Sequence, residues 1–286
     1  MEKDLMDLHI HTIYSDGDKS PLEIYNMVKE RGMSAFSITD HDTILGSKML
    51  NEMNISDIDF INGVELSLKI DKGQLHILGY DLDLNNENLN YKLNELKINS
   101  HKNLKRVLER MLIDNPNIKF SNEDIDNLFK LPRVVNRVDL AKLLIKYNYC
   151  NSVNSAFDMY LVDAHNKVRR KNSNLTYKEA IELILNSGGI PVLAHNKSLK
   201  LEFDELDKFV KELVDNGLMG IEAYHSSFNN EDVSNSLLLA DKYNLLISGG
   251  SDYHGKSVKP KVELGNGINN NLKIKQLSLV DYIKRR

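Results

Sequence analysis

Two histidines, His9 and His11, stand one residue apart in the run Asp7-Leu8-His9-Ile10-His11-Thr12. Side chains on an extended strand alternate with period two, so this pair points to one side and can chelate one cation. Residues of the same chemistry recur at the ends of later apolar runs: Asp16, Asp40-His41, Glu65, His76, His195, and Asp252 with His254. His225 also follows a strand-like run, so seven of the nine histidines track strand ends, which scattered surface histidines have no reason to do. The pattern points to a metalloenzyme.

His9, His11, Asp16, His41, Glu65, His76, His195, Asp252 and His254 exceed what one ion takes, since a catalytic zinc uses about three protein ligands. The set suits two to three divalent cations. Mixed nitrogen and oxygen ligands favour Mn2+, Zn2+ or Fe2+ over calcium, which prefers oxygen alone. Two cations about 3.5–4 Å apart can share a hydroxide and brace the attacking and leaving oxygens of a phosphoryl displacement. No serine nucleophile is then required, and Ser15, Ser248 and Ser251 read as turn or supporting residues. His225 is a candidate acid for the leaving group, with a polar loop residue as the alternative.

These residues need a scaffold that brings strand ends together. Met6 to Ile10 reads as a strand, and Ser20-Pro21-Leu22-Glu23 starts a helix, with Ser20 as cap and Glu23 completing a capping box. Strands follow at Ala35–Thr39 and Phe60–Leu68, and Asp71-Lys72-Gly73 reads as a turn leading to a hairpin strand at Gln74–Tyr80. From about residue 85 to 174 the pattern is helical, with Leu93, Leu96, Leu104, Val107, Leu108 and Met111 forming one long stripe. The alternation resumes at Thr176, where Glu179 completes a second capping box, and runs through strands ending near His195, His225 and Ser248. Strands alternating with helices favour a parallel sheet, and functional residues at carboxyl ends favour a barrel with its site on that face. About seven strand candidates predict a distorted (β/α)7 barrel of the α/β class. The predicted division is a discontinuous barrel, 1–84 and 175–286, with a helical insert domain at 85–174 contributing to the substrate pocket.

A net charge of −4 gives no general attraction to nucleic acid or to an anionic membrane. The single cysteine, Cys150, excludes an internal disulfide, fits a reducing, cytoplasmic compartment, and has no basic neighbour to activate it. Neither a signal peptide nor a run of about 18 apolar residues is expected.

Together the motifs resemble the PHP family, the polymerase-and-histidinol-phosphatase metal-dependent phosphoesterases. The first family motif is Asp7 to Thr12 with Ser15-Asp16-Gly17. Ile38 to Asp42, Gly63 to Ser67 and His76 to Tyr80 follow, then Val192 to His195 and Gly250 to His254. The resemblance implies that His9, His11, Glu65 and Asp252 hold one metal. Glu65 would bridge to a second, bound also by His76 and His195. Asp16, His41 and His254 would hold the third, and Asp40 would orient a ligand histidine. It further implies catalytic roles for Asp16, His41, Asp252 and His254. Arg137-Val138-Asp139-Leu140-Ala141 is similar to a segment of the family's 3′,5′-nucleoside bisphosphatases and 5′-to-3′ exoribonucleases, in which Arg137 would grip a substrate phosphate. Arg133 is the weaker alternative. Asp139 stands where that branch often has histidine, Val138 where it has proline, and Asn196 follows His195 where proline is usual.

The basic run Lys167, Arg169, Arg170 and Lys171 reads either as solvated surface or as phosphate-binding, with Arg170 and Lys171 the chosen substrate contacts. His101 and His165 are expected to be solvated residues of the insert. The expected activity is hydrolysis of a phosphate from a nucleotide such as a 3′,5′-nucleoside bisphosphate, or trimming of short 5′-phosphorylated oligonucleotides. The substrate is thus a small nucleotide or short oligonucleotide, with no extended nucleic-acid surface and no membrane partner. The oligomeric state is left open. Competing readings are a histidinol-phosphatase-like enzyme, an amidohydrolase cleaving C–N bonds, and a non-catalytic metal module serving a polymerase.

Overall fold

The computed structural model describes residues 4–68, 70, 73–168 and 175–286. The strands are β1 (Met6–Asp7), β2 (Ala35–Ile38), β3 (Asp59–Ser67), β4 (His76–Tyr80), β5 (Ile190–Leu193), β6 (Gly220–His225) and β7 (Leu246–Gly250). They form one sheet in sequence order. Pairing is parallel except on the two sides of β4, where β3 and β5 run opposite to it. The sheet curls until its edges nearly meet. Leu8 N–H donates to the Gly249 carbonyl at 3.0 Å, and Ile10 bridges to Tyr253 in parallel. The predicted seven-stranded barrel is therefore present. A short two-stranded ribbon, β8 (Val262–Glu263) and β9 (Gly267–Ile268), lies outside it.

Turn chemistry explains the helix boundaries. α1 (Pro21–Glu30) has the Ser20–Glu23 capping box and ends where Gly32 takes φ 63°. α2 (Leu45–Glu52) follows β2. α3 (Glu87–Asp114) carries the long apolar stripe, but its two halves pack differently. Leu89, Leu93 and Leu96 join the core formed with the barrel wall. Leu104, Val107, Leu108 and Met111 join a second core with residues of α4 (Asn122–Phe129), α5 (Arg137–Lys146) and α6 (Val153–Ala156). One helix thus ties the helical segment to the barrel, each fully buried leucine contributing on the order of 1.5–3 kcal/mol. A π-helical turn at Phe157–Leu161 and α7 (Val162–Lys167) complete this segment.

α8 (Tyr177–Asn186) begins with the Thr176–Glu179 capping box and returns the chain to β5. α9 (Phe203–Asp215) and α10 (Asn230–Tyr243) cover the later strands, and α11 (Ser278–Arg285) ends the chain. Among the described residues no helix is long and apolar enough to cross a membrane.

Candidate metal centre

The carboxyl ends of the parallel strands bring the titratable residues together. His76 is the first residue of β4, yet it lies at the same end, because β4 is antiparallel and pairs His76 with Ser67 at the end of β3. The first strand is shorter than expected, ending at Asp7. The chain stays extended through the Ile10–Tyr253 bridge, so His9 and His11 still aim one way. Their Nε2 atoms each lie 3.2 Å from Glu65 Oε2.

Close approaches of backbone hold this segment. A Cβ on Gly250 would sit 2.4 Å from the His9 nitrogen, and one on Gly17 would sit 2.5 Å from the His11 carbonyl oxygen. Side chains therefore cannot be added at either place without moving a ligand loop. His195 (φ 20°) and Asp252 (φ 56°) occupy backbone conformations uncommon for residues with a Cβ. Such conformations persist where the surroundings over-determine them, as at functional sites.

Side-chain contacts connect all the predicted ligands. Glu65 Oε1 lies 2.7 Å from His76 Nδ1 and 2.9 Å from His195 Nε2. Its Oε2 lies 3.2 Å from His41 Nδ1. Asp252 Oδ1 lies 3.3 Å from His11 Nε2. Asp16 faces His254 at 3.2 Å, His11 at 3.6 Å and His41 at 3.9 Å. Ligand-capable atoms within 4.8 Å of one another fall into overlapping groups: His11–Asp16–His41–His254, His9–Glu65–His195, His9–His11–Asp252, His41–Glu65–His76 and His9–Glu222–His225.

The last group includes Glu222, which the sequence reading missed. Glu222 Oε1 lies 2.9 Å from His9 Nδ1, and its Oε2 accepts the His195 main-chain N–H at 2.7 Å. An ionised carboxylate has no proton to give, so His9 Nδ1 is the donor and Nε2 is the ring nitrogen aimed at the site. The available signal was a lone glutamate inside the apolar strand Gly-Ile-Glu-Ala-Tyr. Asp7, also missed as a support, accepts from Ser251 N and Oγ, Gly265 N and His9 N, and so fixes both ends of the ligand set. His254 Nδ1 donates to the Asp252 carbonyl at 2.9 Å, again leaving Nε2 for the site.

Asp40 has a different role from the one expected. It accepts from Thr12 N, Thr12 Oγ1 and Ser15 Oγ at 2.6–2.7 Å and so folds the loop carrying Asp16, touching no histidine ring. Ser15 Oγ lies 3.4 Å from His11 Nδ1, so the hydrogen-bonded link from Asp40 to that ring passes through the serine.

The electrostatics are those of a cation-binding cluster. Burial would raise the carboxyl of Glu65, but His41, His9 and His76 hold it well below the usual range. Asp16 and Asp252 are held down in the same way, against burial, chiefly by His254 and His41 in the first case and by Lys259 and His254 in the second. Burial pushes His41 down to about 3. Burial would also lower His11, yet Asp252, Glu65 and Asp16 raise it to about 9. Among the described residues His9 Nε2, His11 Nε2 and Glu65 Oε2 are buried without a hydrogen-bond partner: near one another, but not aligned to bond. Each buried orphan costs about 1–3 kcal/mol. Three of them converging on one point, among imidazoles and carboxylates, fit a divalent cation.

The cluster floors a cavity of about 970 Å³ whose other walls come from the helical segment and from the loop after β7. Arg137 lines it and stacks over Phe157 at 5.1 Å. His165 lines it too, rather than being a solvated residue, and His101 Nε2 is bonded to the Arg133 carbonyl at 2.8 Å. Arg133 is not poised for phosphate, because its guanidinium is taken by Asp139. Lys167 is held on the surface by Asp114 and Asp163. Arg169, Arg170 and Lys171 lie outside the described residues. Lys259, which the sequence reading did not single out, places Nζ 2.5 Å from Asp252 Oδ2 with its side chain 38% exposed to the cavity. His225 enters the site rather than a solvated loop, with Nε2 3.3 Å from Asp252 Oδ2.

Comparison with known proteins agrees with this arrangement. The model of the PHP domain family matches residues 7–247. The chain is 26% identical over 256 residues to a phosphoribosyl 1,2-cyclic phosphate 1,2-diphosphodiesterase of Eggerthella lenta, covering 87% of this chain and 94% of the relative. It is 25% identical to a 3′,5′-nucleoside bisphosphate phosphatase of Chromobacterium violaceum, covering 87% of each. It is 26% identical to the 5′-3′ exoribonuclease Rnm of Escherichia coli, covering 92% and 89%. Two solved structures share the fold at a TM-score of 0.79. One, from Bifidobacterium adolescentis, is described as a candidate metal-dependent phosphoesterase (24% identity, 99% of this chain and 97% of that one). The other, from Chromobacterium violaceum, is described as an amidohydrolase with bound sulfate (22%, 98% and 96%). The matched family region contains every motif of the cluster except the Asp252–His254 segment, which the barrel itself brings back to His9 and His11. The chain belongs to the PHP domain family and is a metal-binding hydrolase of phosphoric esters.

Proposed function

We propose that the enzyme removes a phosphate from a nucleotide such as a 3′,5′-nucleoside bisphosphate, or trims short 5′-phosphorylated oligonucleotides, in a reducing, cytoplasmic compartment. The observation that carries this reading is the convergence of His9, His11 and Glu65 orphan atoms at the floor of a cavity that also holds Arg137 and Lys259. A site lined by cations above a metal-binding floor suits a phosphorylated ligand. The sequence similarity to a nucleoside bisphosphate phosphatase, a cyclic phosphate diesterase and an exoribonuclease supports a nucleotide-like substrate.

The residues divide by role. His9, His11, Asp16, His41, Glu65, His76, His195, Asp252 and His254 would hold two to three divalent cations, with Mn2+, Zn2+ or Fe2+ suiting the donor set. Bound there, such ions supply Lewis-acid stabilisation of phosphoryl oxygens and acidify water near neutral pH. Glu222 and Asp7 orient the ligands. Arg137 positions a phosphate against the floor, its guanidinium steadied by Phe157. His225 is the candidate acid. Its Nδ1 accepts the Ser227 main-chain N–H at 3.1 Å, which leaves the proton on Nε2, the nitrogen facing Asp252 and the cavity. His9 and His254 donate from Nδ1 instead and would offer Nε2 to a cation, so His225 would be the histidine that keeps a proton toward the site once cations are bound. The helical segment at 85–174 would complete the substrate pocket as an insert of the barrel.

The test is phosphate release from adenosine 3′,5′-bisphosphate with and without added Mn2+, alongside histidinol phosphate and a short 5′-phosphorylated RNA. Mn2+-dependent release from the bisphosphate, or trimming of the RNA, is expected. Activity on histidinol phosphate alone would reject the nucleotide reading. Full activity of a metal-stripped His11→Ala variant would reject the metal site.

A further inference from the structure

Two cations of the helical segment reach across to the loop that carries Asp16. Arg133 Nη1 donates to the Ser15 carbonyl at 3.0 Å, and Lys142 Nζ, from α5, donates to the Gly17 carbonyl at 3.0 Å. These are the carbonyls on either side of Asp16. Arg133 is itself held, with Nη2 and Nη1 donating to Asp139 Oδ1 and Oδ2 at 2.6 and 3.0 Å in a bidentate fork. Asp139 is fixed in turn, accepting the Asn136 N–H at 2.9 Å as the capping box at the start of α5. The barrel side of the same loop is held separately, by Asp40 on Thr12 and Ser15.

We propose that Arg133 and Lys142 are positioning residues for the cation held by His11, Asp16, His41 and His254, with Asp139 as the lock that keeps Arg133 in place. This rests on reading those four residues as a metal site. The physical reason is leverage. Asp16 is the carboxylate of that group, and the direction of its side chain follows the course of the loop from Ser15 to Gly17, where the Ser15 carbonyl belongs to the peptide entering Asp16 and the Gly17 carbonyl to the peptide leaving Gly17. Gripping both carbonyls from α5 and the loop before it removes the freedom to swing Asp16 away from His254, His11 and His41. The same contacts explain why aspartate at position 139 suits this chain. Its carboxylate forms the ion pair that braces the ligand loop through Arg133.

The experiment titrates metal-free full-length protein with Mn2+ by calorimetry and counts retained Mn2+ by elemental analysis. The variants are Arg133→Gln, Asp139→Asn, Lys142→Met and Lys142→Arg, with Asp16→Asn identifying which binding step belongs to the Asp16 group. That step is expected to weaken roughly 10–100-fold in Arg133→Gln, Asp139→Asn and Lys142→Met, the range seen when outer partners of a ligand are lost. Lys142→Arg should restore it. The other steps should stay at wild-type values, and the metal-free melting temperature should hold in the Lys142 variants, whereas Arg133→Gln and Asp139→Asn break a largely buried ion pair and should lower it. An Asp16 step unchanged in both Arg133→Gln and Lys142→Met would overturn the proposal. So would a uniform weakening of all steps together with a lower metal-free melting temperature, which marks a purely structural contact. If Arg133→Gln does not fold, the Lys142 pair decides alone. Wild-type protein that binds no Mn2+ would instead sink the metal reading beneath the proposal. Wild-type protein that binds Mn2+ and releases phosphate, while the variants match it, would sink this inference only.

Discussion

Glu222 on β6 accepts the Nδ1 proton of His9 at 2.9 Å while its second oxygen takes the His195 main-chain N–H at 2.7 Å. One buried carboxylate therefore orients ligands delivered by the first and fifth strands. Glu222→Gln keeps the shape but offers one acceptor oxygen where two are used, so one contact is lost or reversed. Metal affinity should fall about 10–100-fold, with the barrel still folded. Calorimetric Mn2+ titration beside a circular-dichroism melt checks this, and wild-type affinity in the variant would show that Glu222 does not set the His9 tautomer.

His225 accepts the Ser227 main-chain N–H at Nδ1 and so turns a protonated Nε2 toward the cavity, whereas His9 and His254 donate from Nδ1 and turn Nε2 toward the proposed cations. His225→Gln should lower kcat by about 10²–10⁴-fold for a nucleotide, whose alkoxide leaving group needs a proton. It should change turnover of p-nitrophenyl phosphate far less, because that leaving group departs unprotonated. Equal losses on both substrates would assign His225 to metal binding rather than to proton donation.

In the metal-free protein the His11 imidazole is raised to about 9 by Asp252, Glu65 and Asp16, which together outweigh its burial. A group whose folded pKa lies above its ordinary value of about 6.5 stabilises the fold fully below that value and loses the contribution as pH rises through the folded one. The metal-free protein should thus lose stability between about pH 6.5 and 9. Cation binding must displace that proton, so affinity should fall as pH falls and binding should release protons. Melting curves of metal-free and Mn2+-loaded protein across this range test both signs. At free Mn2+ of about 100 times Kd the loaded protein should be stabilised by about 2.7 kcal/mol.

Lys259 lies against Asp252 at the cavity floor, and Arg137 stands on its helical wall beside Phe157. Lys259→Met should raise KM for adenosine 3′,5′-bisphosphate by roughly 10–100-fold, as loss of one hydrogen bond to a charged group costs about 1.5–3 kcal/mol. Arg137→Lys, which loses the planar fork, should raise KM as well while metal content holds. Unchanged KM in both would remove these residues from substrate binding.

What could be read from the sequence was governed by short-range rules. His-x-His on an extended chain, Glu65 inside Gly-Val-Glu-Leu-Ser and the capping boxes at Ser20 and Thr176 each carry their meaning within a few residues, because strand alternation and helix capping are local. The count of seven strands and the helical interruption followed from the same periodicities. Glu222 escaped because one glutamate in an apolar strand looks the same whether it faces solvent or a histidine ring. Arg133 drew attention as a phosphate clamp because a cation's partner is not encoded near it in the chain, and only folding placed Asp139 and Ser15 against its guanidinium. Lys259 became part of the site because the loop after β7 turns back over Asp252. The sequence by itself determined which side chains of cation-binding type fall at strand ends, since that depends on residue type and on spacing along one strand. The tertiary structure decided which nitrogen of each histidine faces the site, and which carbonyls hold the Asp16 loop. Those outcomes depend on hydrogen bonds between residues as much as two hundred positions apart, which no local pattern records.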